Sequence, residues 1–237
     1  NSMHELRHVH LSEALAKKIV SMLLRLASLN RIVLFGFGEA LCNPSFVKIL
    51  TILRPIQCEI ILVTNALLLD DEVVSFLAEL PVNKIFISCD DDFSGLREEI
   101  IRKGSKATVL FTNIRKLVSV VESKPGTNVT IGMEVVATKQ NAGKLNRILD
   151  VGKRLGVHEF IVTNIFPYSE AVKNDYLYNV FEPPQDNIRL LLKKYCKSNI
   201  CHFADQSTDV NRMCPFIEKG TIFISAEGNI SPCPELA

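Results

Sequence analysis

Two rhythms of apolar residues alternate along the chain. Short continuous runs rich in Val, Ile and Phe recur at residues 31–37, 59–65, 84–90, 128–137 and 159–166. They are too short for helices and have the composition of interior strands in a parallel sheet. Between them lie amphipathic stretches at 46–53, 70–80, 94–122 and 144–155, and another at 12–29 precedes the first run. Such alternation predicts right-handed βαβ crossovers and an α/β fold. Ile32-Val33-Leu34-Phe35 is unbroken by polar residues, so both faces of the first strand are expected to be covered. The alternation opens on a helix, which implies a further strand ahead of it.

Beyond residue 169 the rhythm stops. Residues 168–184 read as irregular and 186–195 as a helix. Residues 221–225, the turn Ala226-Glu227-Gly228-Asn229 and Ile230 read as a β-hairpin. The expected organisation is a barrel-like domain over 1–170 and a smaller C-terminal module over 171–237, made of a linker helix and the hairpin.

Polar groups gather where the apolar runs end. The first run closes on Gly36, Gly38 and Glu39, the second on Thr64 and Asn65, and the third on Ser88 and Asp90. Glu134 is embedded in the fourth, and the fifth carries Asn164. In a parallel barrel these ends converge on one mouth and build a polar pocket. Each could separately be an ordinary turn residue; five strand ends in succession favour the pocket. Gly36 and Gly38 would allow positive φ or close backbone approach.

Composition narrows the classes. The chain has 237 residues, 47% hydrophobic and 22% charged, with a net charge of +1, so no overall field draws it to nucleic acid or acidic lipid. No apolar run reaches membrane-span length and the N-terminus lacks a signal-peptide core, so a cytoplasmic protein is expected. Seven cysteines suit packing or metal ligation in a reducing compartment better than a disulfide framework. Cys58 and Cys89 read as packing residues, with Cys42 open, and the histidines at 4, 8 and 10 read as solvated. Cys214 and Cys233 flank the predicted hairpin, which would bring both thiols to one metal centre; two half-buried packing cysteines are the alternative. Cys196 and Cys201 are possible further ligands. The chain has no Gly-Lys-Ser/Thr phosphate loop, dinucleotide fingerprint, His-Glu-x-x-His or Gly-x-Ser-x-Gly.

Together these stretches resemble the radical S-adenosylmethionine superfamily. "GFGEALCNPSF" is similar to its Gly-Gly-Glu-Pro motif, "ILVTNALLL" to its Thr-Asn-Gly segment and "IFISCDDD" to its Ser-x-Asp. Cys214, Gly228 and Cys233 fit the opening of a SPASM module, and "NIFPYSEAVKNDYLY" with "RMCPFIEKGTIFISAEGNISPCPEL" resembles maturases of the tungsten cofactor of aldehyde:ferredoxin oxidoreductases. The resemblance implies a partial (β/α)6 TIM-like barrel with a SPASM- or twitch-like hairpin module. It implies S-adenosylmethionine and a [4Fe–4S] cluster as cofactors, with a possible auxiliary [4Fe–4S] cluster at Cys214 and Cys233. The Gly38 backbone and Glu39 would receive the methionyl ammonium, Thr64, Asn65, Ser88 and Asp90 would line the ribose and carboxylate side, and Asn164 the adenine side, with Gly36 also among the cofactor-binding residues. The implied activity is generation of a 5′-deoxyadenosyl radical to modify a small-molecule cofactor precursor or a peptide, with ferredoxin or flavodoxin as reductant. Three departures stand out: no Cys-x(3)-Cys-x(2)-Cys occurs in the chain, Ala40 stands for the usual Pro, and Ala66 for the usual Gly. A non-catalytic barrel that kept the fold as scaffold or carrier is the alternative.

Overall fold

The computed structural model describes residues 9–36, 38–89, 93, 106–164, 175, 201–203 and 215–232. Six parallel strands form one sheet: β1 (Arg31–Leu34), β2 (Glu59–Thr64), β3 (Lys84–Ser88), β4 (Thr130–Ala137), β5 (Glu159–Asn164) and β6 (Cys201–Phe203). Their order in the sheet is their order in the chain, the topology of a β/α barrel wall. The first five are the strands expected from the sequence; β1, β2, β3 and β5 end one to three residues earlier, and β4 ends at the expected residue but starts two residues later. β6 was not anticipated; three residues carry no readable period, and it places residues 201–203, beyond residue 170, in the sheet.

The connecting helices are α1 (Glu13–Leu23), α2 (Phe46–Leu53), α3 (Asp71–Leu77), α4 (Lys106–Ser123) and α5 (Leu145–Arg154). Their starts follow from local chemistry. Ser12 caps α1 by accepting from Leu15 N at 3.2 Å, and Asp70 caps α3 by accepting from Val73 N at 2.8 Å, each satisfying an N–H that the first turn leaves unpaired. Within the stretches expected to be helical, 94–105 falls outside the described residues, as do the irregular 168–184, apart from Asp175, and the helix at 186–195.

Alternate residues of each strand face the helices. Ile60, Leu62, Ile85, Ile87, Ile131, Met133, Val135, Phe160 and Val162 form one core with Leu50, Leu77, Ile114, Leu117 and Leu149 of the helices. Completely burying each large aliphatic or aromatic side chain stabilises the fold by about 1.5–3 kcal/mol before entropy is counted. Gly152 lets α5 lie directly on the sheet, since a Cβ there would stand 2.6 Å from the Phe160 ring and 3.2 Å from Met133 Cε.

The opposite faces of the strands line the concave side. On β1 this side is open: Val33 is 40% exposed and Phe35, just beyond the strand, 46%. The expectation that both faces of this strand are covered is therefore corrected. Among the described residues β1 is the edge of the sheet, with no strand beyond it whose side chains could pack over its concave face. Lower on the concave side a chain of charges crosses the wall. Arg31 pairs with Glu59, and Lys84 Nζ lies 3.6 Å from Glu59 and 2.9 Å from Glu159 of β5. The Glu159 hydrogen bond, more than either carboxylate's bare charge, holds the Lys84 ammonium above its ordinary pKa.

The predicted hairpin is present as β7 (Phe223–Ile224) and β8 (Ile230–Ser231), antiparallel and preceded by the short α6 (Pro215–Glu218). Gly228 turns it at φ +90°, a conformation open to glycine without a Cβ penalty. Ser225 accepts from the Glu227 and Asn229 amides and so fixes the loop. The hairpin sits at the open edge of the sheet. Phe223 meets Phe35 edge to face at 6.1 Å between centroids, and Gly228 lies beside Leu15 of α1.

Candidate functional site

Parallel pairing puts every C-terminal strand end on one rim, and three of the predicted site residues are joined there by hydrogen bonds. Glu39 follows β1 and caps the short 3-10 turn Ala40–Cys42, its Oε1 accepting from Leu41 N at 3.1 Å. The same oxygen accepts from the Thr64 hydroxyl at 2.8 Å, and Oε2 accepts from Asn65 N at 2.7 Å. A carboxylate offers about four acceptor positions; three are taken here by protein donors, and one remains on the Oε2 side.

The Thr64 hydroxyl also accepts from Ala66 N at 3.0 Å, and Asn65 Oδ1 accepts from Leu67 N at 3.0 Å. These bonds wind residues 64–67 into a tight turn in which Ala66 takes φ +57°. The resembled family has glycine at this position, and the dihedral gives the physical reason. A left-handed conformation costs an L-residue about 1–2 kcal/mol. Asn113 of α4 offsets this from behind, its Nδ2 donating to Ala66 O at 2.8 Å and reaching Leu67 O at 3.4 Å. Asn113 was not identified from the sequence. Its only signal is a polar residue bordering the apolar stripe of Leu110, Ile114 and Leu117.

The far side of the Glu39 loop is pinned to α1. Asn43 Nδ2 donates to Leu11 O at 2.9 Å, and the Ser45 hydroxyl donates to Glu13 at 2.9 Å. Glu13 also pairs with Lys48 at 3.0 Å; its carboxyl is held below the ordinary value by hydrogen bonds, from Lys48 first and Ser45 second. Gly36 and Gly38 take no positive φ, and a Cβ at either would meet no atom within 4 Å. The turn-forming role considered for them does not apply. Among the described residues, open space above bare backbone remains, which is what a closely approaching ligand requires.

The other site residues stand apart from this cluster. Ser88 is exposed at the end of β3, in register with Glu134 of β4, whose carbonyl accepts from Cys89 N at 2.9 Å. Asn164 pairs with Ala137 at the rim through the backbone of β5. Asp90, Cys196, Cys214 and Cys233 lie outside the described residues, as do His4 and His8. Cys201 falls in β6. Cys89 is buried at 2% exposure, and burial pushes the Cys58 thiol up, in keeping with packing roles. Cys42 is exposed in the turn after Glu39.

No group of three or more His, Cys, Asp or Glu side chains among the described residues is placed to hold a metal ion. A cavity of about 620 Å³ opens at the opposite end of the barrel, between the loops that lead into β2, β3 and β4, lined by Arg54, Gln57, Asn83 and Asn128 among others. That end of a β/α barrel carries stability, and the chemistry sits at the C-terminal rim. No helix among the described residues is long and apolar enough to cross a membrane.

Comparison with known proteins bears on the fold. No family model matches the chain. Over 217 residues it is 27% identical to the tungsten-containing aldehyde ferredoxin oxidoreductase cofactor-modifying protein of Pyrococcus furiosus, a match that covers 91% of this chain and 60% of that protein. The chain thus spans about three fifths of the curated relative's length. Among solved structures, Streptococcus suis SuiB bound to its precursor peptide SuiA superposes with a TM-score of 0.65 at 16% identity, over 93% of this chain and 53% of SuiB. SuiB bound to S-adenosylmethionine gives 0.58 at 17% identity, over 86% of this chain and 48% of SuiB. The enzyme anSMEcpe with bound AdoMet and the Kp18Cys peptide gives 0.57 at 16% identity, over 94% and 65% of the two chains. The chain therefore shares the barrel fold of SuiB and anSMEcpe, and by sequence it is similar along nearly its whole length to a tungsten-cofactor-modifying protein.

Proposed function

We propose that this chain is the barrel part of a maturase-type radical S-adenosylmethionine enzyme, with the Glu39 loop as the seat of the methionyl ammonium. The observation that carries this reading is the Glu39 carboxylate: three protein donors fix it, one acceptor position is left over, and open space lies above the adjacent glycines. A fixed carboxylate beside bare backbone suits a compact three-donor ammonium, which gains most from a charge-assisted bond.

Thr64 is 2% exposed and committed to Glu39 and Ala66, so its part is to hold the carboxylate still. Asn65 and Ser88, both exposed, serve the ribose and carboxylate side together with Asp90, and Asn164 serves the adenine side. Bound S-adenosylmethionine would supply the radical chemistry, through its 5′-deoxyadenosyl group on reduction. The described residues do not fit a [4Fe–4S] cluster, and the chain's own contribution is binding, orientation and exclusion of water. Glu134, on the concave wall above Phe86 and Gly132, would face the substrate.

The cofactor-modifying relative favours a cofactor precursor as substrate, and the SuiB likeness leaves a peptide as the other candidate. Cys214 and Cys233 are proposed as auxiliary-cluster ligands within a C-terminal module over 171–237. A ferredoxin or flavodoxin is the proposed electron donor, and the cytoplasm the proposed location.

Equilibrium dialysis with labelled S-adenosylmethionine tests the core of this reading. Saturable binding is expected, weakened at least tenfold in Glu39→Gln, about 1.4 kcal/mol. Absence of binding, or equal binding by the variant, would refute it. Binding without formation of 5′-deoxyadenosine by the complete protein under anaerobic reduction would favour the non-catalytic carrier.

A further inference from the structure

We propose that Asn113 is a positioning residue for the Glu39 site, acting through the left-handed turn at Ala66. It rests on the reading of Glu39 as the ammonium seat, and it adds a residue that no motif contains. The connection is a short relay. Asn113 stands on α4 between helix positions whose neighbours Ile114 and Leu117 are fully buried, so its amide is held by a rigid support. That amide grips the carbonyls of Ala66 and Leu67. The Ala66 N–H is bonded to the Thr64 hydroxyl, and that hydroxyl to Glu39 Oε1, while the Asn65 N–H is bonded to Glu39 Oε2.

Two of the three groups that fix the carboxylate therefore belong to a turn whose backbone is strained at Ala66. The other turn-holding bonds, Thr64 Oγ1 to Ala66 N and Asn65 Oδ1 to Leu67 N, lie within the turn and would move with it. Asn113 anchors it to the outer helical layer. A glycine at 66 would need no such anchor, because it adopts positive φ without a Cβ penalty. In this chain alanine occupies the strained position, and the helix amide supplies the restraint.

The consequence is a specific rescue. Asn113→Leu removes the donor at similar volume and is expected to raise the S-adenosylmethionine dissociation constant about tenfold. It should also speed hydrogen exchange at the Asn65 and Ala66 amides relative to core amides such as Leu62. Adding Ala66→Gly to that variant should recover most of both losses, whereas Ala66→Gly alone should change binding less than about threefold. A residue that merely stabilised the core would show uniform acceleration of exchange and no rescue by glycine, and either result would overturn the proposal. If Asn113→Leu does not fold, Asn113→Ser, whose hydroxyl is too short to reach the turn, is read by the same measurements. If the unaltered chain binds no S-adenosylmethionine, the reading of Glu39 fails; local exchange and its rescue by Ala66→Gly still decide whether Asn113 holds the turn.

Discussion

Replacing Thr64 by valine separates hydrogen bonding from packing at the rim. Thr64 is 2% exposed, and valine matches its shape. The substitution removes the bond to Glu39 Oε1 and the one from Ala66 N. The first is charge-assisted, but Glu39 is half-buried and water can replace the hydroxyl, so its loss costs about 1 kcal/mol. The second strands an N–H at a residue with no exposure, at about 2 kcal/mol. Exchanging a buried hydroxyl for a methyl returns about 1 kcal/mol, leaving Thr64→Val less stable by about 2 kcal/mol. Thr64→Ser keeps both bonds and loses one buried methyl, about 1 kcal/mol. Urea unfolding followed by circular dichroism reads both, provided the slope with denaturant is unchanged. Should the serine variant prove the less stable of the two, the hydroxyl is not what holds the rim.

Gly152→Ala sets two effects against each other. Alanine is better in a helix by about 1 kcal/mol, but its Cβ would press on the Phe160 ring and Met133, both with no exposure, and overpacking costs about 1–3 kcal/mol. A net loss of about 1 kcal/mol in urea unfolding is expected, and a gain would mean that the helix can shift freely. Stability should also fall at both ends of the pH range. Glu13, whose pKa is lowered, contributes above the ordinary value of 4.5 and loses its contribution as pH falls through the lowered folded value. Lys84, whose pKa is raised, contributes below the ordinary 10.5 and loses its contribution as pH rises through the raised folded value. Lys84→Met should flatten the alkaline limb of urea midpoint against pH; an unchanged alkaline limb would show that the concave charge chain contributes nothing.

The barrel was legible because burial on the helix side imposes long apolar runs, and α2 (Phe46–Leu53) has the same bounds in sequence and structure. Strand ends were overshot, as at Phe35, because the apolar composition continues after the ladder has stopped. β1's bare concave face was misread for a related reason: a continuous run reports composition, and composition cannot say whether a neighbour exists. The convergence of Glu39, Thr64 and Asn65 followed from parallel topology, which sends all strand ends one way. Asn113 lay beyond that logic, since its partners are two backbone carbonyls far away in sequence and a carbonyl has no sequence signature. The turn at Ala66 was marked only as a departure from a glycine, and the dihedral explains the departure's cost.

The strictly consecutive strand order bears on how the molecule assembles. Each strand pairs with the one made just before it, so loop closure at every step spans one crossover, and the entropy lost per step grows only slowly with its length. A chain emerging from the ribosome can extend this sheet from one edge, each new strand finding its template already laid down. The hairpin breaks that progression. Phe223 against Phe35 and Gly228 beside Leu15 join segments far apart in the sequence and cannot form until synthesis has passed the later one. Until then Phe35 lacks its aromatic partner, an interval in which the nascent protein is more open to wrong partners and to proteases.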